Sequence, residues 1–254
     1  MLDEIWGIHP FGRLSAGNPS STPPNLPSLW GWWDFSNAST LFQNSVRTVP
    51  VNADGDPVGG VTDISGNGRH LAQTTDAKRP LYKTGIRNGL SALLFNGTTN
   101  NFVLASTAVP ANWTVFVVGV VAVTGTRHMI NFDGSPRIAQ IRSDNTTTFR
   151  VIGFDSLGVD FQDTQAMVAG AHHVFTAIRR TADVQAYVDG ASSGATATLL
   201  TNASGTLAPA VGSNLASDAE FFSGHMDELI VCSTDLSSVN FDVILSYLRA
   251  KWSI

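Results

Sequence analysis

From Leu29 onward the apolar residues fall into short runs separated by turn-forming residues, the pattern of antiparallel strands. The runs predict strands over 30–34, 91–96, 101–105, 113–123, 127–132, 136–142, 147–154, 171–180, 183–189, 206–212 and 220–232. Within them His172 to Arg179 alternates, and Asp189-Gly190 closes the run Val184 to Val188 with a tight turn. One helix is predicted, at the end, where Phe241, Ile244, Leu245, Leu248 and Trp252 recur with helical spacing behind a cap at Asp235 or Ser237. No repeat of solenoid or propeller length is present. The fold class that follows is all-β: an antiparallel sandwich of jelly-roll type with one C-terminal helix and an extended N-terminal arm.

The arm breaks the pattern. Pro10, Pro19, Pro23, Pro24 and Pro27, with many Gly, Ser and Asn, deny the first 28 residues a regular element. Yet Ile5, Trp6, Ile8, Phe11 and Leu14 are apolar beyond the needs of a solvated tail, and such side chains require a pocket. Two units are therefore expected, an anchoring arm over 1–28 and a sandwich over 29–254. The five apolar residues are the candidate partner-binding residues, to be covered by the arm's own domain or by another subunit.

Composition narrows the function classes. Hydrophobic residues make up 43% of the 254 and charged residues 14%, with a formal net charge of -5 and no cluster of Lys and Arg. Nucleic acid is not an expected partner, because phosphate binding needs clustered positive charge. The one cysteine, Cys232, ends an apolar run and reads as a buried strand thiol with no disulfide partner. Met1-Leu2-Asp3-Glu4 carries acids where a signal peptide is basic, so synthesis in the host cytoplasm without a signal peptide is expected. The longest apolar stretch, Trp113 to Val123, is about half the roughly twenty residues a membrane helix needs, so no membrane partner is expected.

Two segments resemble the concanavalin A-like lectin/glucanase superfamily, in its laminin-G-like form. The first runs Leu29-Trp30-Gly31-Trp32-Trp33-Asp34, Asp54-Gly55-Asp56-Pro57-Val58, Thr62-Asp63-Ile64-Ser65-Gly66-Asn67-Gly68-Arg69-His70, Arg79-Pro80 and Leu93-Leu94-Phe95-Asn96-Gly97-Thr98. The second is Phe222 to Val231, then Leu236-Ser237 and Tyr247 to Trp252. The resemblance covers residues 29–254. It implies the sandwich independently predicted above and, since such domains occur in bacteriophage virion proteins, a place on a virus particle; a fold that hosts lectins, hydrolases and adhesion modules alike implies no single activity.

The candidate chemistry is sparse. Asn52, Asp54, Asp56 and Asp63 offer hard oxygens suited to calcium, against the alternative of turns pinned by Asx hydrogen bonds. No other cofactor is implied. Retaining glycosidases need two carboxyl groups about 5 Å apart, but Asp227 and Glu228 are adjacent and should face opposite sides of a strand. His172 and His173 should likewise diverge, and Ser65-Gly66 and Ser223-Gly224 lack the surroundings of a nucleophile elbow. Among the tryptophans, alternation puts Trp30 and Trp32 on one face and Trp33 on the other, which makes Trp33 the candidate glycan contact.

These readings converge on a non-enzymatic virion structural protein, a capsid decoration or head/tail surface protein. Its arm, residues 1–28, would bind other virion proteins and its sandwich would be exposed for attachment or stabilisation. The alternative is a carbohydrate-binding adhesion module of a tail fibre, baseplate or bacterial surface protein that contacts cell-surface glycan; a glycoside hydrolase ranks below both. Closed symmetry favours a homo-oligomer, a trimer before other states.

Overall fold

The computed structural model describes residue 26 and residues 28–123, 125–132, 137–145, 147–192, 194, 197–198, 203–214, 218–236 and 238–254. Ile5, Trp6, Ile8, Phe11 and Leu14, and with them the expected arm, lie outside the described residues. In chain order the elements are β1 (Leu29–Asp34), β2 (Leu41–Phe42), β3 (Gly60–Val61), β4 (Leu71–Ala72), β5 (Leu81–Arg87), β6 (Leu90–Asn96), β7 (Phe102–Leu104), β8 (Thr107–Val109), β9 (Trp113–Val121) and β10 (Arg127–Phe132). There follow β11 (Ala139–Ser143), β12 (Thr148–Phe154), β13 (Asp160–Ala166), β14 (His172–Arg179), β15 (Asp183–Val188), β16 (Ala197–Thr198), β17 (Gly205–Leu207), β18 (Ala210–Val211), β19 (Ser223–Cys232) and the helix α1 (Ser238–Trp252).

Two antiparallel sheets face each other. One is ordered β16-β15-β14-β9-β19-β6-β5, the other β13-β12-β11-β10-β18-β7-β4-β3-β2, and β8 pairs with β17 in a small ribbon. Strand β19 is long enough to serve two partners along one edge: Ser223 to Met226 pair with β6, and Glu228 to Cys232 pair with β1. Strand β9, apolar on both faces, runs along its other edge and is buried throughout. That explains why Trp113 to Val121 reads as an unbroken apolar run instead of an alternating one.

Both faces of this sheet are covered, so the molecule has two cores. Between the sheets lie Trp30, Trp33, Phe35, Phe95, Phe102, Trp113, Phe132, Phe149, Phe175, Leu229 and Val231 among others. On the opposite face α1 lays Ile244, Leu245, Leu248 and Trp252 over Trp32, Phe116, Val118, Val174, Ile230 and Cys232. The helix is the one predicted, with its apolar stripe inward and Val239 and Val243 outward. The hairpin at Asp189-Gly190 also stands: both residues have positive φ, 51° and 77°, as a two-residue primed turn requires.

The reading of β1 is corrected by a bulge. The β1–β19 register shifts between Leu29 and Gly31, which resets the alternation and turns Trp30 into the inter-sheet core beside Trp33, while Trp32 faces α1. Trp33 is 0% exposed, its ring lies over Gly31, and its Nε1 donates to the Arg69 carbonyl at 2.9 Å. It cannot stack on a sugar.

A second bulge corrects the reading of Asp227 and Glu228. Register on β9 slips between Met226 and Glu228. Met226, Leu229 and Val231 still point between the sheets, but Glu228 now faces the helix, while Asp227 meets His172 from the strand face that His172 shares with Val174. The two acids thus leave the strand on the same side. Cys232 is buried as expected, and desolvation pushes its thiol up to about 12.

Candidate functional site

The loop between β3 and β4 is organised by one carboxylate. Asp63 Oδ1 accepts from the amides of Trp32 (3.0 Å) and Ser65 (2.9 Å), and Oδ2 from the Ser65 hydroxyl and the Arg69 amide (both 2.9 Å). Four donors on one buried acid are enough to fix the loop's path. Gly66 and Gly68 take φ of 86° and 71°, which a side chain would strain, and the Asn67 amide reaches back to the Leu29 carbonyl at 2.8 Å. The Asp63 amide donates to His70 Nδ1 at 3.1 Å, so neutral His70 carries its proton on Nε2. Burial, reinforced by the charge of Arg47, lowers the pKa of His70 below its ordinary value.

This loop forms one wall of a cleft of about 390 Å³. Asn67, Gly68, Arg69, His70 and Ala72 line it from one stretch, Leu104, Ala105, Ser106 and Thr107 from another, and Arg47 from the loop between β2 and β3. The facing wall is tied to the core through Trp30, whose Nε1 donates to the Ala108 carbonyl at 3.2 Å. Arg69 lies over the Trp30 ring, 4.5 Å from its centroid, and donates from Nη1 to the Trp30 carbonyl at 2.8 Å. Trp30 therefore supports both walls, and the site rests on strands through its neighbours. The lining presents guanidinium, imidazole, amide and hydroxyl groups and, among the described residues, carries no Asp or Glu.

The other expected sites go elsewhere. Asp54 accepts from the Thr84 amide at 2.8 Å and pairs with Lys83, which holds its carboxyl below the usual range. Asp56 accepts from the amides of Asn52 (2.8 Å) and Ala53 (2.9 Å), which lower it likewise, and Asp63 serves the loop described above. The three acids are thus engaged with different partners, Asn52 takes part only through the amide it donates to Asp56, and among the described residues no group of three or more His, Cys, Asp or Glu is placed to hold a metal. Asp63 makes the local Asx bond to the Ser65 amide, whereas Asp54 is tied to Thr84 and Lys83 of β5.

His172 and His173 diverge as predicted. His173 Nδ1 meets Asp189 Oδ2 at 2.7 Å, a hydrogen bond that raises the imidazole's pKa. His172 Nε2 lies 3.3 Å from Asp227 Oδ2, too poorly aligned to bond, so both oxygens of buried Asp227 lack a hydrogen-bond partner and desolvation pushes its carboxyl up. Glu228, by contrast, is fully committed: it accepts from Trp32 Nε1 (2.8 Å), Trp252 Nε1 (2.9 Å), the Tyr247 hydroxyl (3.2 Å) and Lys251 Nζ (2.8 Å).

No protein-family model matches this chain, and no curated protein does. Solved structures do. The binding domain of Paraclostridial Mosquitocidal Protein 1 superposes with a TM-score of 0.56 at 12% identity, covering 74% of this chain and 49% of that one. The chain has a known sandwich fold. The Trypanosoma rangeli sialidase solved with 2,3-difluorosialic acid gives 0.57 at 12% identity over 89% of this chain and 33% of the sialidase. The botulinum neurotoxin serotype D binding domain gives 0.53 at 11% identity over 85% and 51%. The chain spans about a third to a half of these three structures. Domain 4 of a GH43 extracellular arabinanase from Geobacillus stearothermophilus, solved with arabinotriose, matches at 0.50 and 15% identity over 86% of this chain and 98% of that domain. Likeness at this identity establishes architecture; the site must be read from this chain's own residues.

The cleft residues Arg47, Ser106 and Thr107 were not singled out by the sequence, and Arg69 and His70 appeared only as part of the family-like loop. A signal was there: Arg69-His70 follows directly on a Ser-Gly-Asn-Gly turn that needs fixed backbone.

Proposed function

We propose that the protein is a non-enzymatic binding module that holds a glycan in the cleft between the 67–70 and 105–107 segments. One observation carries the reading: a cleft lined by fixed polar donors and, among the described residues, by no carboxylate, the composition of a site that orients a ligand and lacks the acid pair that cleaves a glycoside. Its fold neighbours include a domain solved with arabinotriose and the receptor binding domain of botulinum neurotoxin D, which supports this reading.

Ala105 is exposed on the cleft wall, so Ala105→Trp should fill the cleft without touching the core. Wild-type protein should bind glycans on an array and in titration at micromolar to millimolar strength, roughly −8 to −4 kcal/mol, and Ala105→Trp should abolish this with an unchanged melting temperature. Binding that survives in Ala105→Trp moves the site elsewhere.

The finer reading places the module on a virion, attached through residues 1–28. It is supported by the apolar, proline-broken sequence of that segment and by the family resemblance. Deletion of 1–28 should leave a folded sandwich that fails to join particles, and normal incorporation would refute the attachment.

A further inference from the structure

We propose that the cleft selects an acidic sugar, one bearing a carboxylate or sulfate, and that Arg47 and Arg69 receive the anion; this rests on the glycan-binding reading above. The protein as a whole is acidic, with a formal net charge of -5, yet among the described residues this cleft is lined by two guanidinium groups and no acid. Asp63, which organises the 63–70 loop, is not in the lining, and both its oxygens are saturated by three donors of that loop and the Trp32 amide.

The two arginines are held and are not spent. Arg47 takes a φ of 58°, a costly conformation for a residue with a side chain. Its stem passes over Gly60, where an added Cβ would stand 2.7 Å from Arg47 Cγ, so the missing side chain of Gly60 makes room for it. Among the described residues the Arg47 guanidinium has neither hydrogen bond nor ion pair. Arg69 is braced by the Trp30 ring and by the bond from Nη1 to the Trp30 carbonyl, and among the described residues its Nη2 makes no hydrogen bond. A guanidinium with unfilled donors in a partly desolvated cleft favours a bidentate anion such as carboxylate or sulfate.

The rest of the lining suits a sugar. His70 is kept neutral with its proton on Nε2, and Asn67, Ser106 and Thr107 supply amide and hydroxyl groups for hydroxyls of the ring. Among the described residues no large aromatic side chain is exposed, so the stacking platform on which neutral-sugar sites commonly rely is missing there, and charge must carry more of the affinity.

The test is titration of the full chain with matched probes: 3′-sialyllactose against lactose, and a sulfated against an unsulfated glucosamine disaccharide, each at low and at physiological ionic strength. The acidic member of a pair should bind about tenfold or more tightly, with the advantage shrinking as salt rises. Arg47→Gln, which keeps the stem and removes the charge, should erase about tenfold of the acidic probe's affinity, weaken the neutral probe far less and leave the melting temperature unchanged; Arg47→Lys should recover part of the acidic probe's loss. Equal binding within each pair, or an Arg47→Gln variant indistinguishable from wild type, overturns the acidic-sugar assignment and leaves the glycan module standing. No binding to any sugar overturns both. Equal affinity for inorganic phosphate and for the acidic sugars assigns the cleft to anions in general and overturns the sugar selectivity.

Discussion

Replacing Lys251 by Met should cost about 3–5 kcal/mol of folding stability, the largest effect expected of any single substitution on the surface of α1. Lys251 Nζ lies 2.8 Å from both Asp34 Oδ2 and Glu228 Oε2, joining the helix to β1 and β19 at once. Glu228 is fully buried, and desolvation pushes its carboxyl up while Lys251 holds it down. Removing the ammonium leaves that charge without a counterion among the two indoles and the phenol that bond it. A neutral acceptor relieves the problem, so Lys251→Met combined with Glu228→Gln should regain a good part of the loss. Denaturant unfolding of the four members of this cycle measures the coupling; additive single effects would show that the lysine does not anchor the helix.

Trp33→Ala should be comparably severe, about 3–5 kcal/mol, because it empties the middle of the inter-sheet core. The effect separates two roles for this residue. A sugar-stacking tryptophan would lose binding with its melting temperature intact, whereas Trp33→Ala should lower the melting temperature steeply. Trp33→Phe should retain most of the packing and lose only the bond from Nε1 to the Arg69 carbonyl, at about 1 kcal/mol. Because that carbonyl belongs to the cleft wall, Trp33→Phe should also weaken ligand binding modestly. Full stability in Trp33→Ala would contradict its place in the core.

The long strands and the helix were legible because burial imposes a period on sequence. Strand β14 and the 3.6-residue stripe of α1 carry such a period, while β9 shows itself by an unbroken apolar run and β19 by its length. Strands β2, β3 and β4 are two residues each, too short to show any period. Strand β13 was missed for another reason: it is a polar strand at a sheet edge, and even its inward Asp163 is hydrophilic, its carboxylate accepting from the Ala186 amide at 2.8 Å. The 206–212 run divides around Pro209, with β17 pairing to β8 and β18 joining the larger sheet. The shared face of Trp30 and Trp33, and that of Asp227 and Glu228, was missed because one extra residue in a strand inverts everything beyond it, and composition does not mark where that residue sits. The cleft was hidden since its walls come from stretches more than thirty residues apart that meet only in the folded sandwich.

The isolation of the one cysteine has a practical consequence. Cys232 lies in a strand covered by the helix and is raised to about 12, so almost none of it is thiolate at neutral pH and alkylating reagents should pass it by. A second cysteine introduced at Ser106 would therefore be the only nucleophilic sulfur on offer. A fluorophore or spin label could then be placed at the mouth of the cleft on an otherwise unaltered protein, reporting occupancy directly.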